Sequence, residues 1–140
     1  MTNKVKLAYA IALAAHKGQI DKAGMDYINH PLTVSNNCNS EDEKIVAMLH
    51  DVLEDTNVTK DDLLIFFPEY IVEAIQLLTH KEEDTYMEYL TRIKNNPIAK
   101  NVKIQDLKHN MDLSRIPNPT PKDYERLENK YKPALEFLTI

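Results

Sequence analysis

The sequence predicts an all-α protein that folds as one helical bundle. Apolar residues recur at helical spacing along the chain, and no segment shows the alternation with period two that is typical of a half-buried strand. Only two glycines occur, Gly18 and Gly24, and both lie in the same short stretch. Because a chain of 140 residues suits a single core, we expect one domain over 1–140.

Capping residues and prolines divide the chain into predicted elements. Ser40 and Glu43 have the spacing of a capping box, and Pro31 fits the first turn of a helix. The predicted elements are a helix over about 3–16, a loop over about 17–28, helices over about 30–38 and 41–54, a short helix after Thr59, a helix over about 68–79, helices beginning at Asp84 or Thr85 and at Pro97, and a last helix capped by Thr120. Pro133 falls inside that last helix, which we expect it to kink or end.

Composition argues against several classes of protein. A formal net charge of −5 disfavours a general nucleic-acid binder. No apolar stretch approaches the roughly 20 residues that span a bilayer, so we expect no membrane association. The apolar N-terminal segment resembles a signal peptide, but Tyr9 interrupts it, and we expect a buried first helix instead. The single cysteine, Cys38, has no internal disulfide partner, which fits a cytoplasmic protein.

The run from His50 to Thr56 is the strongest indication of chemistry. His50 and Asp51 offer an imidazole nitrogen and a carboxylate oxygen side by side, and both suit a borderline divalent metal. Glu54 and Asp55 follow four residues later, so each shares a helix face with one of the first two. The alternative is a solvated acidic helix end, which is disfavoured because carboxylates at a helix C-terminus oppose the helix dipole.

A metal ion needs more than two protein ligands, and other segments of the chain supply candidates. His30 begins a predicted helix, while Asp106 and Asn110 share one face of another. With His50 and Asp51 they give a set of two histidines and two carboxylates that leaves room for water. Taken alone, a histidine beside a proline is more often a cap or a core residue, and Asp106 is by default a surface acid. Their joint occurrence supports the metal site.

Five sequence blocks resemble a known family. In chain order they are His16–Gln19, Lys22–Gly24, Tyr27–Leu32, His50–Thr56 and Val102–Met111. They are similar to the blocks of the HD-type hydrolase domain in Rel/SpoT enzymes and in the small stand-alone versions, including the metazoan SpoT homologues. The resemblance implies an all-α HD fold and a manganese-dependent hydrolase. In that family the enzyme removes the 3′-diphosphate of guanosine tetra- or pentaphosphate and releases pyrophosphate.

The resemblance also implies a role for individual residues. The implied metal ligands are His30, His50, Asp51 and Asp106. Glu54 and Asp55 are expected beside the attacking water, where either can accept its proton. Lys22 and Asn110 are expected to contact the nucleotide, and Tyr27 to help shape the pocket. We expect the chain to be too short to hold the synthetase domain of the family as well.

Two positions depart from the family pattern. Asp21 stands where the family usually has an arginine that stacks on the guanine, and an acid cannot stack in that way and repels phosphates. Leu107 stands where the last block usually has another arginine. We therefore expect an intact metal site with altered base recognition.

Two other functions are considered beside the alarmone hydrolase. One keeps the metal but acts on a different nucleotide phosphate, which Asp21 favours. The other is a non-catalytic nucleotide sensor, which the presence of Glu54 and Asp55 disfavours. Lys103 and Arg115 fit either a phosphate path or a solvated helix face. The sequence indicates no particular oligomeric state.

Overall fold

Helices account for nearly all the regular structure in the computed structural model, which describes residues 1–140. They are α1 (Asn3–Ala15), α2 (Asn29–Asn36), α3 (Glu41–Leu49), α4 (Val52–Asp55), α5 (Lys60–Phe66), α6 (Glu69–Leu77), α7 (Tyr86–Lys94), α8 (Pro97–Met111), α9 (Pro121–Arg126) and α10 (Lys132–Thr139). A 3₁₀ turn (Leu113–Arg115) precedes α9, and a π-helical turn (Leu127–Tyr131) joins α9 to α10. The all-α prediction is confirmed.

Side-chain caps begin several helices where the sequence places them. The capping residues include Ser40, Thr59, Thr85 and Thr120, each of which accepts a backbone N–H three residues later. Asp62 and Asp123 complete reciprocal capping boxes. Glu43 does not complete the box predicted with Ser40, because its carboxylate accepts from Asn39 N–H at 3.4 Å and from the Asn101 amide at 3.0 Å. The second contact joins the start of α3 to α8.

The predicted helix over 41–54 is wrong as a single element. Helix α3 ends at Leu49, and a separate turn of helix, α4, covers Val52–Asp55. Asp51, between them, has φ −106° and ψ −2°, outside the geometry of a regular helix. The sequence hides this break because no glycine or proline marks it. Helix α2 also ends two positions before its predicted end.

Pro133 does not end the last helical segment, which continues through α10 to Thr139. The chain passes from α9 into a π-helical turn, where the N–H of Lys132 bonds to the carbonyl of Leu127, five residues before it. Pro133 then lies in the first turn of α10, where a missing N–H costs no helical bond. The wider turn lets the chain continue through the proline.

The core is centred on α3. Five consecutive residues, Ile45–Leu49, are buried there, because α3 packs against α1, α2, α6 and α8 and has no solvated face in its last turns. The predicted first helix is confirmed as part of this core through Val5, Ala8 and Ala12. None of the helices has the length and apolar character needed to cross a membrane. The C-terminal end of α3 is therefore buried inside the protein. The same packing holds the residues that follow it in place.

Candidate active site

One cavity of about 410 Å³ collects every residue to which the sequence assigns a role. Its walls come from the loop between α1 and α2, the junction of α3 and α4, helix α8, and the segment from α9 through the π-helical turn. The sequence-predicted residues that line it are Lys22, Tyr27, His30, His50, Asp51, Glu54, Asp55, Asp106 and Asn110.

The break between α3 and α4 lets two consecutive residues face this cavity together. Neighbours i and i+1 on a continuous helix point in different directions. Because the backbone leaves helical geometry at Asp51, its Oδ2 comes to 3.0 Å from Nε2 of His50. The interruption that the sequence did not reveal is therefore what positions the pair.

Four side-chain atoms converge in the buried part of the cavity. His30 Nε2 lies 2.9 Å from Asp106 Oδ1 and 3.9 Å from Asp51 Oδ2. His50 Nε2 lies 3.4 Å from Asp106 Oδ1 and 3.0 Å from Asp51 Oδ2. Ligands bound to one ion at about 2.0–2.2 Å are themselves roughly 3–4 Å apart. The group of His30, His50 and Asp106 can therefore hold a divalent metal ion, and Asp51 lies beside it, near both imidazoles.

The tautomer of His50 supports the same conclusion. Its Nδ1 lies 2.5 Å from the carbonyl oxygen of Ala47, which can only accept, so the proton is on Nδ1. Its Nε2 is buried without a hydrogen-bond partner and faces the carboxylates of Asp51 and Asp106. The two carboxylates that face this nitrogen attract positive charge to it, either a proton on Nε2 or a metal ion bound there. Metal-binding histidines commonly donate their other ring N–H to a carbonyl in this way.

The electrostatics of the cluster favour a cation at the same point. Burial opposes charge on both carboxyl groups, but His50 holds the pKa of Asp51 down to about 2. Lys103 is the main group that holds the pKa of Asp106 well below its ordinary value against burial. Burial likewise opposes charge on His50, yet Asp51 raises the pKa of its imidazole well above the ordinary value. Two ionised carboxylates thus attract positive charge, whether a proton or a metal ion, to this position.

Two residues without a sequence-assigned site role hold these groups in place. Lys103 Nζ lies 2.9 Å from Asp106 Oδ2, which leaves Oδ1 turned toward the histidines. His109 Nδ1 lies 2.7 Å from His30 Nδ1. The signal that could have found them is their spacing of three residues on either side of Asp106, which places them on or near its face of α8. From the sequence, Lys103 fitted either a phosphate path or a solvated helix face. In the structure it lines the cavity.

Tyr27 and Asn110 contact the acidic residues directly. Tyr27 Oη donates to Asp51 Oδ2 at 2.5 Å, and Asn110 Nδ2 donates to Asp106 Oδ1 at 3.3 Å. Burial, reinforced by the charge of Asp51, raises the pKa of the Tyr27 hydroxyl, so it remains a donor. Both side chains also line the cavity, where a bound molecule can reach them.

Glu54 and Asp55 differ in their contacts. Together with Asp51 they form a second acidic group whose ligand atoms lie within 4.8 Å of one another. Glu54 Oε1 accepts the backbone N–H of His80 at 2.8 Å, which fixes its orientation. Partial burial, then Asp51, raises the pKa of Asp55 above its ordinary value.

Positive side chains form another wall of the cavity. Lys22, Arg126 and Lys130 line it together, and Asp123 is the acid beside them. Burial, then Arg126, lowers the pKa of Lys22, which shows how closely these charges are gathered. In a protein with a net charge of −5, this wall is where an anionic ligand meets positive potential.

Leu107 has no part in the cavity. It lies in the hydrophobic core with no exposed surface and is not among the residues that line the cavity. Of the two departures from the family pattern, Leu107 therefore has no contact with the cavity in this structure. Asp21, the other departure, does line the cavity, next to Lys22.

Comparisons with known proteins agree with the all-α fold. No family model matches the sequence. The chain is 34% identical over 151 residues to the guanosine-3′,5′-bis(diphosphate) 3′-pyrophosphohydrolase of Borreliella burgdorferi, a match that covers 95% of this chain and 22% of that protein. It is 34% identical over 79 residues to the bifunctional (p)ppGpp synthase/hydrolase SpoT of Escherichia coli, covering 52% of this chain and 11% of that protein. The chain thus spans about a fifth or less of the length of these relatives.

A solved structure extends the match over the whole fold. A metazoan orthologue of SpoT that hydrolyses ppGpp superposes with a TM-score of 0.82 at 21% identity, covering 99% of this chain and 86% of that one. At that identity the superposition shows the fold, which is the all-α HD arrangement. Together with the curated relatives, it shows that the chain belongs to the HD domains of the Rel/SpoT type.

Proposed function

We propose that this protein, over 1–140, is a metal-dependent phosphohydrolase that removes the 3′-diphosphate of guanosine tetra- or pentaphosphate and releases pyrophosphate. The observation that carries the proposal is the buried Nε2 of His50, turned without a hydrogen-bond partner toward the carboxylates of Asp51 and Asp106. Curated relatives named for this activity support the choice of substrate. A nucleotide substrate of this kind implies a cytoplasmic location.

We assign His30, His50, Asp51 and Asp106 as the metal ligands. A set of two imidazoles and two carboxylates suits several divalent ions, and Mn²⁺ is our choice because the resemblance to the Rel/SpoT hydrolases implies it. When bound, such an ion lowers the pKa of a water molecule and polarises a phosphoryl oxygen. Tyr27 and Asn110, through their bonds to Asp51 and Asp106, keep two of the ligands oriented.

The side chains of the protein supply the other requirements of the reaction. Glu54 and Asp55 lie close to Asp51, where one of them accepts the proton of the attacking water. Lys22, Arg126 and Lys130 offset the negative charge of the phosphates. Phosphoryl transfer depends mainly on positioning and charge neutralisation, which is what this combination of rigid acids and gathered cations provides.

A panel of nucleotides tests the proposal. Wild-type protein with added Mn²⁺ is expected to release pyrophosphate from guanosine tetraphosphate, and His50→Ala and Asp106→Ala are expected to release none. Asp61→Asn, which changes an exposed residue of α5 outside the cavity, is the matched control and is expected to retain full activity.

Two outcomes contradict the proposal in different ways. Turnover of another nucleotide phosphate, with guanosine tetraphosphate untouched, points to the different substrate that Asp21 first suggested. Binding of a nucleotide without any metal-dependent turnover points to the non-catalytic sensor.

A further inference from the structure

Asp21 and Arg115 form an ion pair at the edge of the cavity. Arg115 Nη1 lies 3.7 Å from Asp21 Oδ2, and both residues line the cavity. They come from distant parts of the chain, the loop between α1 and α2 and the 3₁₀ turn after α8. The acid that replaces the expected arginine is thus adjacent to another arginine in space.

Neighbouring donors and a guanidinium compensate the negative charge of Asp21. Its Oδ1 accepts the backbone N–H groups of Ala23 at 2.8 Å and of Met25 at 3.0 Å, and its Oδ2 faces Arg115. A carboxylate that is engaged at both oxygens by donors and a guanidinium does not present a free negative charge to a phosphate. The repulsion expected from the sequence is therefore offset by the tertiary structure.

The guanidinium of Arg115 is held from two directions. Its Nε donates to the carbonyl oxygen of His109 at 3.1 Å, and its Nη1 faces Asp21. The directional bond from Nε orients the planar guanidinium, and the ion pair with Asp21 restrains its other end. With 22% of the Arg115 side chain exposed, part of that group is open to the cavity.

Arg115 differs from the other cavity cations in how it is held. Burial is the main cause that lowers the pKa of Lys22, and Arg115 contributes to it as Arg126 and Lys130 do, so it lies within the same group of positive charges. Its guanidinium is also engaged by the His109 carbonyl and by Asp21, and Ile20, Leu113 and Ile116 line the same cavity. A guanidinium held in this way can present its planar face to an aromatic ring, whereas the ammonium of a lysine acts as a point charge toward phosphates.

We propose that Arg115, oriented by Asp21 and by the His109 carbonyl, is the residue that stacks on the nucleobase of the substrate. This inference rests on the proposed nucleotide hydrolase function. Arg115 is the base-binding residue in this scheme, and Asp21 is a positioning residue that acts through it.

Inhibition by the two halves of the substrate tests the assignment. Guanosine carries the base without phosphates, and inorganic pyrophosphate carries phosphates without the base. Because stacking on one side chain is worth about 1–3 kcal/mol, Arg115→Ala is expected to raise the Ki of guanosine about tenfold or more and to change that of pyrophosphate less than twofold. Lys108→Ala, on the exposed side of α8, is the control and is expected to change neither.

Two further variants separate stacking from charge. Arg115→Lys keeps the charge but loses the plane, so its guanosine Ki is expected to match that of Arg115→Ala. Asp21→Asn keeps an acceptor for Ala23 and Met25 but loses the ion pair, so it is expected to raise the guanosine Ki by a smaller factor. Thermal unfolding of each variant verifies that it is folded.

The following results would contradict the assignment of Arg115 as the base contact. If Arg115→Lys binds guanosine as well as wild type does, or if pyrophosphate Ki rises as much as guanosine Ki, then Arg115 is a phosphate contact. If wild type turns over guanosine tetraphosphate and no Arg115 variant changes guanosine inhibition, this inference fails while the proposed function stands. If wild type hydrolyses no nucleotide, the proposed function fails, and calorimetric titration of wild type and Arg115→Ala with guanosine tests the base contact without turnover.

Discussion

The Nδ1 atoms of His30 and His109 lie 2.7 Å apart, and the two ring planes are inclined by 20° with their centroids 4.9 Å apart. One of these nitrogens must carry the proton that they share. If His30 Nε2 is to bind a metal, that proton is on His30 Nδ1, and His109 accepts it. Burial, then Arg115, lowers the pKa of His109 to about 4, which keeps its imidazole neutral and able to accept.

Removal of the His109 acceptor is expected to weaken metal binding. Loss of a group that orients a metal-ligating histidine typically costs 10–100-fold in affinity, so His109→Ala is expected to lower Mn²⁺ affinity by about that factor. His109→Asn is expected to retain most of it, because its side-chain oxygen can accept from His30 Nδ1. Calorimetric titration with Mn²⁺ measures both, and equal affinities for wild type and His109→Ala contradict this role.

Lys103 is expected to stabilise the metal-free protein through Asp106. The Lys103 side chain is 13% exposed and that of Asp106 is 7% exposed, so Lys103→Met leaves a buried carboxylate without its partner. We expect the free energy of unfolding to fall by about 3 kcal/mol, as measured in urea. Lys108→Met, on an exposed position of the same helix, is the matched control and is expected to change it by less than about 0.5 kcal/mol.

Addition of Mn²⁺ should distinguish this effect from a general packing defect. A bound divalent ion supplies positive charge beside Asp106, so Mn²⁺ is expected to raise the melting temperature of Lys103→Met at least as much as that of wild type. A variant that gains nothing from the metal indicates that the substitution disrupted the site itself.

Asp55→Asn is expected to lower kcat more than Glu54→Gln. The Glu54 carboxylate is engaged by the backbone N–H of His80, a bond that glutamine can keep through its own side-chain oxygen. Removal of a general base costs roughly 10²–10⁴ in rate, which we assign to Asp55, with a smaller loss at Glu54. Steady-state kinetics at saturating metal measures both, and the reverse order assigns the base to Glu54.

Cys38 is expected to resist alkylation in the native protein. The residue is 5% exposed, and burial raises the pKa of its thiol to about 11. Because the thiolate is the reactive form, labelling by iodoacetamide at pH 8 is expected to be far slower than in urea and to accelerate only as the pH approaches 11. Rapid labelling of native protein at pH 8 indicates local opening around α2.

The sequence by itself determined the helical class, most helix beginnings and nine of the 23 residues that line the cavity. Thr59, Thr85 and Thr120 cap helices as predicted, because capping depends on a side chain and an N–H three residues away. The spacing of His50 and Asp51 likewise predicted a metal site from adjacent ligand types, before any distance was known. Such signals involve residues that are close together in the sequence, so they can be identified from the sequence alone.

Only the tertiary structure decided the features that depend on distant segments. The break at Asp51 separates α3 from α4, and no glycine or proline marks it in the sequence. Asp21 and Arg115 come from two separate loops and form an ion pair. The acid that the sequence suggested would repel phosphates therefore pairs with a cation instead. Leu107 proved to be a core residue because the rotation of α8 is set by its neighbours. Contacts of this kind arise from packing, for which a single sequence carries no direct signal.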